Sequence, residues 1–90
     1  MKALKREVTI LNTQGMHARP AMQLVETASR FQSAVRIRKG DISVNAKSIM
    51  EVMTLAATQG TVLTLEAEGD DAAEVLQAMA RLVADKFHED

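Results

Sequence analysis

The chain has no cysteine, no tryptophan and no tyrosine, a single proline, and only two phenylalanines and two histidines. Without cysteine there can be no disulfide, no thiol nucleophile and no thiolate metal ligand, which fits a reducing cytosol. The soft ligands that remain, His17 and His88, lie far apart in sequence, so no metal and no cofactor is expected. Scarce aromatics and a formal charge of −1 remove the stacking platforms and the excess positive charge on which a nucleic-acid surface depends. Long apolar runs are missing as well. The opening Met1-Lys2-Ala3-Leu4-Lys5-Arg6-Glu7 has no apolar core of a signal peptide, and no segment reaches membrane-spanning length. The expectation is one cytoplasmic domain over residues 1–90, binding neither nucleic acid nor membrane, with a modest core that needs no staple.

Charge of one sign is scarce in each half. Residues 1–47 carry nine Lys or Arg against three acids, and residues 51–90 carry two against nine. Most of this segregation reads as solvated surface, while a basic rim around His17 would steer acidic partners.

What the chain does have is clean periodicity. Val8 and Ile10 alternate with Glu7 and Thr9, predicting a half-buried strand that ends near Leu11. Ala21, Leu24, Val25, Ala28 and Phe31 recur at helical spacing, predicting an amphipathic helix from just after His17 to about Arg30, with Phe31 and Phe87 in the core. Val35 and Ile37 alternate with Arg36 and Arg38, and Gly40-Asp41 turns the chain into Ile42-Ser43-Val44, a hairpin. A short helix is expected over Ser48 to about Ala57, stopped by Gln59-Gly60, then a strand over Thr61–Glu68. Ala72, Val75, Leu76, Met79, Leu82, Val83 and Phe87 stripe a last helix, with Asp71 and Glu74 as its acidic, cap-like first turn. The order βαββαβα implies an α+β fold, an open-faced β-sandwich: a four-stranded, mostly antiparallel sheet with three helices on one face.

The chemistry concentrates in Gly15-Met16-His17-Ala18-Arg19-Pro20-Ala21. Pro20 belongs in a first helical turn, where a missing N–H is no loss. The N–H groups of Ala18 and Arg19 would then point out of the helix end beside the imidazole and form an anion site. The helix dipole and Arg19 both disfavour imidazolium, so a largely neutral, nucleophilic His17 is expected, with Arg19 adding a fork of donors for phosphate oxygens. Histidine as phosphoryl acceptor follows from these parts. The competing reading makes His17 only a helix cap, in a regulatory module that binds proteins through the Met-rich second helix.

That helix, Ser48-Ile49-Met50-Glu51-Val52-Met53-Thr54-Leu55-Ala56, is apolar almost all round. Val52, Leu55 and Ala56 make an inward stripe, leaving Ile49, Met50 and Met53 as an exposed flexible patch unless a deeper groove buries them. Ser48-x-x-Glu51 reads as a capping box, with Ser48 as N-cap and Glu51 at N3.

Gly15-Met16-His17-Ala18-Arg19-Pro20-Ala21 closely resembles the active-site signature of the HPr family, phosphocarriers of the bacterial phosphoenolpyruvate-dependent phosphotransferase system. The resemblance extends through Glu26-Thr27-Ala28-Ser29-Arg30-Phe31 and Asn45 to Met53, and covers about residues 5–87. It independently implies the open-faced sandwich and a carrier rather than a stand-alone enzyme. On that resemblance His17, with Arg19, accepts a phosphoryl group from the system's first enzyme and passes it to a histidine on a downstream acceptor protein. Met16, Ala21, Ile49, Met50 and Met53 become the partner-binding residues, and Ser48 a regulatory phosphorylation site for a serine kinase. Glu51 stands where glycine or lysine is common, and Leu55-Ala56-Ala57 replaces a glycine-containing segment, so the resemblance reaches the nitrogen-related paralogue type as well as HPr itself.

Overall fold

Leu63, Leu65 and Ala67 point one way and Val62, Thr64 and Glu66 the other, and this alternation sets the strand at the middle of the fold. The structure, a computed structural model, describes residues 2–89; Met1 and Asp90, which the sequence reading takes into the domain, lie outside the described residues. The elements run β1 (Leu4–Thr9), α1 (Ala18–Ser29), β2 (Ala34–Lys39), β3 (Ile42–Asn45), α2 (Ile49–Met53), β4 (Val62–Glu68) and α3 (Ala72–Ala84), followed by a short turn over Lys86–His88. The sheet order is β1-β4-β2-β3, and every neighbouring pair is antiparallel. In register, Val8 faces Leu63 on one side of β4 and Ile37 faces Leu65 on the other.

The helices cover one face and bury a single core in which Ile10, Leu24, Ile37, Val52, Leu55, Leu63, Leu65, Val75, Met79 and Phe87 are all essentially inaccessible. Phe31 is only half-buried at its edge. The opposite face is polar: Arg38 pairs with Glu66 at 3.3 Å, Lys5 with the same carboxylate at 3.8 Å, and Arg36 donates to Ser43 Oγ at 2.8 Å. Much of the basic half of the chain is therefore spread over the sheet, and Lys39 and Lys47 donate to the carbonyls of Leu55 and Phe31.

Three local expectations are corrected. The first strand ends at Thr9, although Ile10 keeps pairing through its N–H to Thr61 O (2.9 Å) and its carbonyl to Gly60 N (2.8 Å), while Leu11 turns outward. The second helix stops at Met53 instead of about Ala57. Its last bonds tighten, Leu55 N to Val52 O and Ala56 N to Met53 O, and Ala56 then enters the left-handed region at φ 47°. That reversal buries Leu55 and Ala57 and leaves Ala56, expected in the inward stripe, exposed. Asp71 is the N-cap of α3 but gives its side chain elsewhere. Its carboxylate accepts from Ser33 Oγ, from Gln32 N and from Ser33 N, the last two at 2.9 Å, and ties the α1–β2 loop to the start of α3. The Ser33 hydroxyl first, then the Gln32 N–H, hold the Asp71 carboxyl below its ordinary value.

The end of the chain is strained and anchored. Lys86, Phe87 and His88 all have positive φ (55°, 55° and 61°), a conformation costing about 1–2 kcal/mol for each such residue. Burial of the whole Phe87 side chain, worth about 1.5–3 kcal/mol, offsets part of that, and Gln23 Nε2 donates to Phe87 O at 3.3 Å. The turn sends Glu89 back toward the start of α1.

Candidate functional site

The β1–α1 loop is built to hold one imidazole. Gly15 takes φ +69°, and Met16 N donates to Ala57 O at 2.7 Å, so the loop is sewn to the segment after α2. Asn12, fully buried, donates through Nδ2 to Gly15 O at 2.8 Å and so braces the same turn from inside. His17 follows as the N-cap of α1, its backbone extended (φ −83°, ψ −173°) and its carbonyl taking Ala21 N at 3.1 Å. Its side chain makes no capping hydrogen bond. The reading of His17 as a cap alone finds no support in this geometry.

Ala18 and Arg19 are the first helical residues, so their N–H groups have no intrahelical acceptor, and Pro20 next to them has no N–H. These amides give the helix end its partial positive charge. Arg19 is exposed, and its guanidinium forms no hydrogen bond or ion pair among the described residues. The imidazole is 35% exposed, and its Nε2 lies 3.0 and 3.1 Å from the two carboxylate oxygens of Glu89. Glu89 Oε1 also accepts from Asn12 Nδ2 at 2.7 Å. The site thus contains an anion that the sequence reading, which counted only the dipole and Arg19, did not include. A contact spanning 72 positions leaves no periodic trace in the sequence.

The partner-binding expectation divides. Ile49, Met50 and Met53 are exposed, Met50 by 80%, because the five residues of α2 turn only Val52 inward. Met16 and Ala21, by contrast, are both buried, Met16 next to the turn that Gly15 makes and Ala21 on the inner stripe of α1. Met22, on the neighbouring α1, is 52% exposed, an outward apolar residue that the sequence reading did not include. Its signal was available, an apolar residue one position off the stripe of Ala21, Leu24 and Ala28. Ser48 caps α2 as expected, its Oγ accepting from Glu51 N at 3.3 Å. Glu51 does not complete the box: its carboxylate takes Asn45 N at 2.9 Å, while Ser48 N donates to Asn45 O.

An open-faced sandwich whose first loop stands a half-exposed histidine over two unpaired helix amides defines the class of small phosphoryl-carrying proteins. The chain belongs to the HPr family: the family model for the phosphotransferase system's HPr component phosphorylation site matches residues 4–85. The chain is 45% identical to the phosphocarrier protein HPr of Xylella fastidiosa, over 97% of this chain and 98% of that protein. A crystal structure of HPr from Thermoanaerobacter tengcongensis superposes with a TM-score of 0.90 at 46% identity, covering 100% of this chain and 99% of that one. The Bacillus subtilis catabolite repression protein Crh, a domain-swapped dimer, matches with a TM-score of 0.74 at 41% identity over 92% of this chain and 95% of that one. No helix among the described residues is long and apolar enough to cross a membrane.

Proposed function

We propose that His17 is the residue on which this HPr-family phosphocarrier carries its phosphoryl group, taken from a phosphohistidine on the first enzyme of the phosphotransferase system and passed to a histidine on a downstream acceptor. The observation that carries this reading is the half-exposed imidazole standing at the N-cap of α1, beside the free amides of Ala18 and Arg19. A phosphoryl group on the ring brings two to three anionic oxygens to that helix end, where the dipole, the two N–H donors and the Arg19 guanidinium favour negative charge. The protein works as a carrier, in the cytoplasm, with residues 1–90 acting as one domain.

The docking surface is the apolar patch of Met22, Ile49, Met50 and Met53, on adjacent helices. Flexible thioethers suit a carrier that meets several partners in turn. Partners that must leave quickly favour interfaces at or below about 1,200 Å². Ser48 lies beside that patch and is the residue through which a serine kinase would modulate docking.

Incubation with phosphoenolpyruvate and a cognate first enzyme tests the central assignment. One acid-labile phosphoryl group is expected on the wild-type protein and none on His17→Ala. Label retained by that variant would refute the role of His17.

A further inference from the structure

The sheet has two edges, and the fold treats them differently. Along β3 the main-chain groups of Ser43 and Asn45 point away from β2, since Ala46 N bonds Val35 O and the pairing alternates from there. Side chains close that edge: Glu51 Oε1 takes Asn45 N at 2.9 Å, and Arg36 Nη2 donates to Ser43 O at 3.0 Å. Along β1 the bond from Ile10 N to Thr61 O sets the same alternation, which turns the main-chain groups of Leu4, Arg6 and Val8 toward β4 and those of Lys5, Glu7 and Thr9 outward. Nothing among the described residues bonds those outward N–H and C=O groups. The longer edge is the open one.

Beside it runs a groove. Two adjoining hollows of about 400 and about 230 Å³ share Arg6, Ala80 and Ala84 and lie between β1 and α3. Small side chains at Ala73, Ala80 and Ala84 keep the helix wall low, which leaves room for the side chains of a strand about 4.8 Å beyond β1. Toward Leu11 the groove is apolar, with Val8 and Val83 in its lining. The other end holds the guanidinium groups of Arg6 and Arg81, neither of which forms a hydrogen bond or ion pair among the described residues; Asp85 lines that end too and pairs with neither. Arg6 stands there because its register partner is Leu65, which puts it on the helix-covered side of the sheet between Leu4 and Val8.

A second copy of β1 suits this edge poorly. With odd-numbered residues pointing outward, two copies meeting edge to edge about a two-fold axis set one residue against itself at the centre, and in every register that keeps most of the strand that residue is Lys5, Arg6 or Glu7. Like charges then face each other. We infer that the edge of β1 is a docking site for an extended acidic segment of a partner protein, which adds as a fifth strand. Its main chain bonds the outward groups of Lys5, Glu7 and Thr9, an acidic side chain meets Arg6 and Arg81, and an apolar one two residues away lies over Ala80 and Ala84 beside Val8. None of these residues belongs to the site of His17 or to the patch of Met22, Ile49, Met50 and Met53, so this surface is separate from the one that serves transfer.

The test titrates the ¹⁵N-labelled full chain with the blocked peptide Ser-Val-Thr-Glu-Thr-Val-Ser, which presents the same alternation in either chain direction. Saturable shifts are expected, with amide exchange slowed at least about tenfold at Lys5, Glu7 and Thr9 and little changed at Leu4, Arg6 and Val8, which already bond β4. The peptide with lysine in place of glutamate, and one shuffled to break the alternation, should bind at least about tenfold more weakly. So should the protein carrying Arg6→Glu with Arg81→Glu, where each reversal turns an attraction into a repulsion, while its phosphoryl uptake from the phosphorylated first enzyme stays at the wild-type rate. Glu7→Pro removes one outward donor and no bond to β4, so it should melt within a few degrees of wild type and lose the protection. If that variant does not fold, the charge-reversed protein decides. Absence of saturable binding up to about 1 mM, equal affinity for the lysine peptide, or shifts confined to Met22, Ile49, Met50 and Met53 overturns the inference. Protection of the same three amides that rises with protein concentration alone would overturn it as well, by giving the edge to a second copy.

Discussion

A Cβ on Gly15 would lie 2.5 Å from the carbonyl oxygen of Ala57, so the loop that carries His17 passes the segment after α2 closely enough that only a glycine fits. The same carbonyl accepts Met16 N at 2.7 Å, and the early end of α2 is what puts Ala57 there. Position and chemistry of the site are thus joined through two segments distant in sequence.

Gly15→Ala should therefore be costly in both respects. The left-handed φ alone is worth about 1–3 kcal/mol, and the clash with backbone adds to it. Urea unfolding should show a loss of at least about 2 kcal/mol, with slowed phosphoryl uptake in whatever remains folded. A variant as stable as wild type would mean the loop is free to move away from Ala57.

Arg19→Ala should fold normally, because its side chain is exposed and makes no hydrogen bond or ion pair among the described residues. Transfer should slow by the equivalent of about 2–4 kcal/mol, as for loss of one donor from an oxyanion site. Lysine at this position should recover only part of the rate, since it offers charge without the planar fork. Wild-type kinetics in Arg19→Ala would assign phosphate binding to the amides alone.

Met50→Glu and Val52→Asp, two positions apart on α2, should fail differently. Met50 is 80% exposed, so a carboxylate there should leave the melting curve nearly unchanged while weakening transfer to partners. Val52 is wholly buried, and an unpaired carboxylate in its place costs several kcal/mol, enough to unfold a small domain. Equal loss of stability in the two variants would place Met50 in the core and end the docking proposal.

Ser48→Ala should lose the cap at a cost of about 1 kcal/mol, whereas Ser48→Asp retains a capping oxygen and adds charge. With Ile49 and Met50 beside it, that charge must be desolvated when an apolar surface docks. Phosphoryl transfer should fall in the Asp variant with the fold intact. Unchanged transfer there would leave capping as the whole role of Ser48.

Asp71 sets an acid limit on stability. Its carboxyl is held below the ordinary 3.8 by Ser33 and Gln32, so the folded chain binds fewer protons than the unfolded chain in that window. The stabilisation is complete above 3.8 and is lost as pH falls through the lower folded value. Acid unfolding of Asp71→Ala followed by circular dichroism should show a shallower decline over that range than wild type. An identical decline would show that other carboxylates control it.

Much of what rests on near neighbours was legible. The alternation of Leu63, Leu65 and Ala67, the stripe of Ala21, Leu24 and Ala28, the Ser48 cap and the turn at Gly40 each follow from contacts or periods spanning a few residues, and His17-Ala18-Arg19-Pro20 carries its helix start in its own composition. The sequence by itself determined the element order, the sheet-and-helix layering and the histidine. Tertiary structure alone decided the order β1-β4-β2-β3, the end of α2 at Met53, the burial of Met16, the diversion of Asp71 from its own helix to Ser33, and the carboxylate of Glu89 against His17. These depend on which distant surfaces meet once the core closes. A carboxylate five residues beyond the end of α3 and an imidazole at the N-cap of α1 share no pattern along the chain. Only the burial of Phe87 and the left-handed turn around it bring them within 3.0 Å.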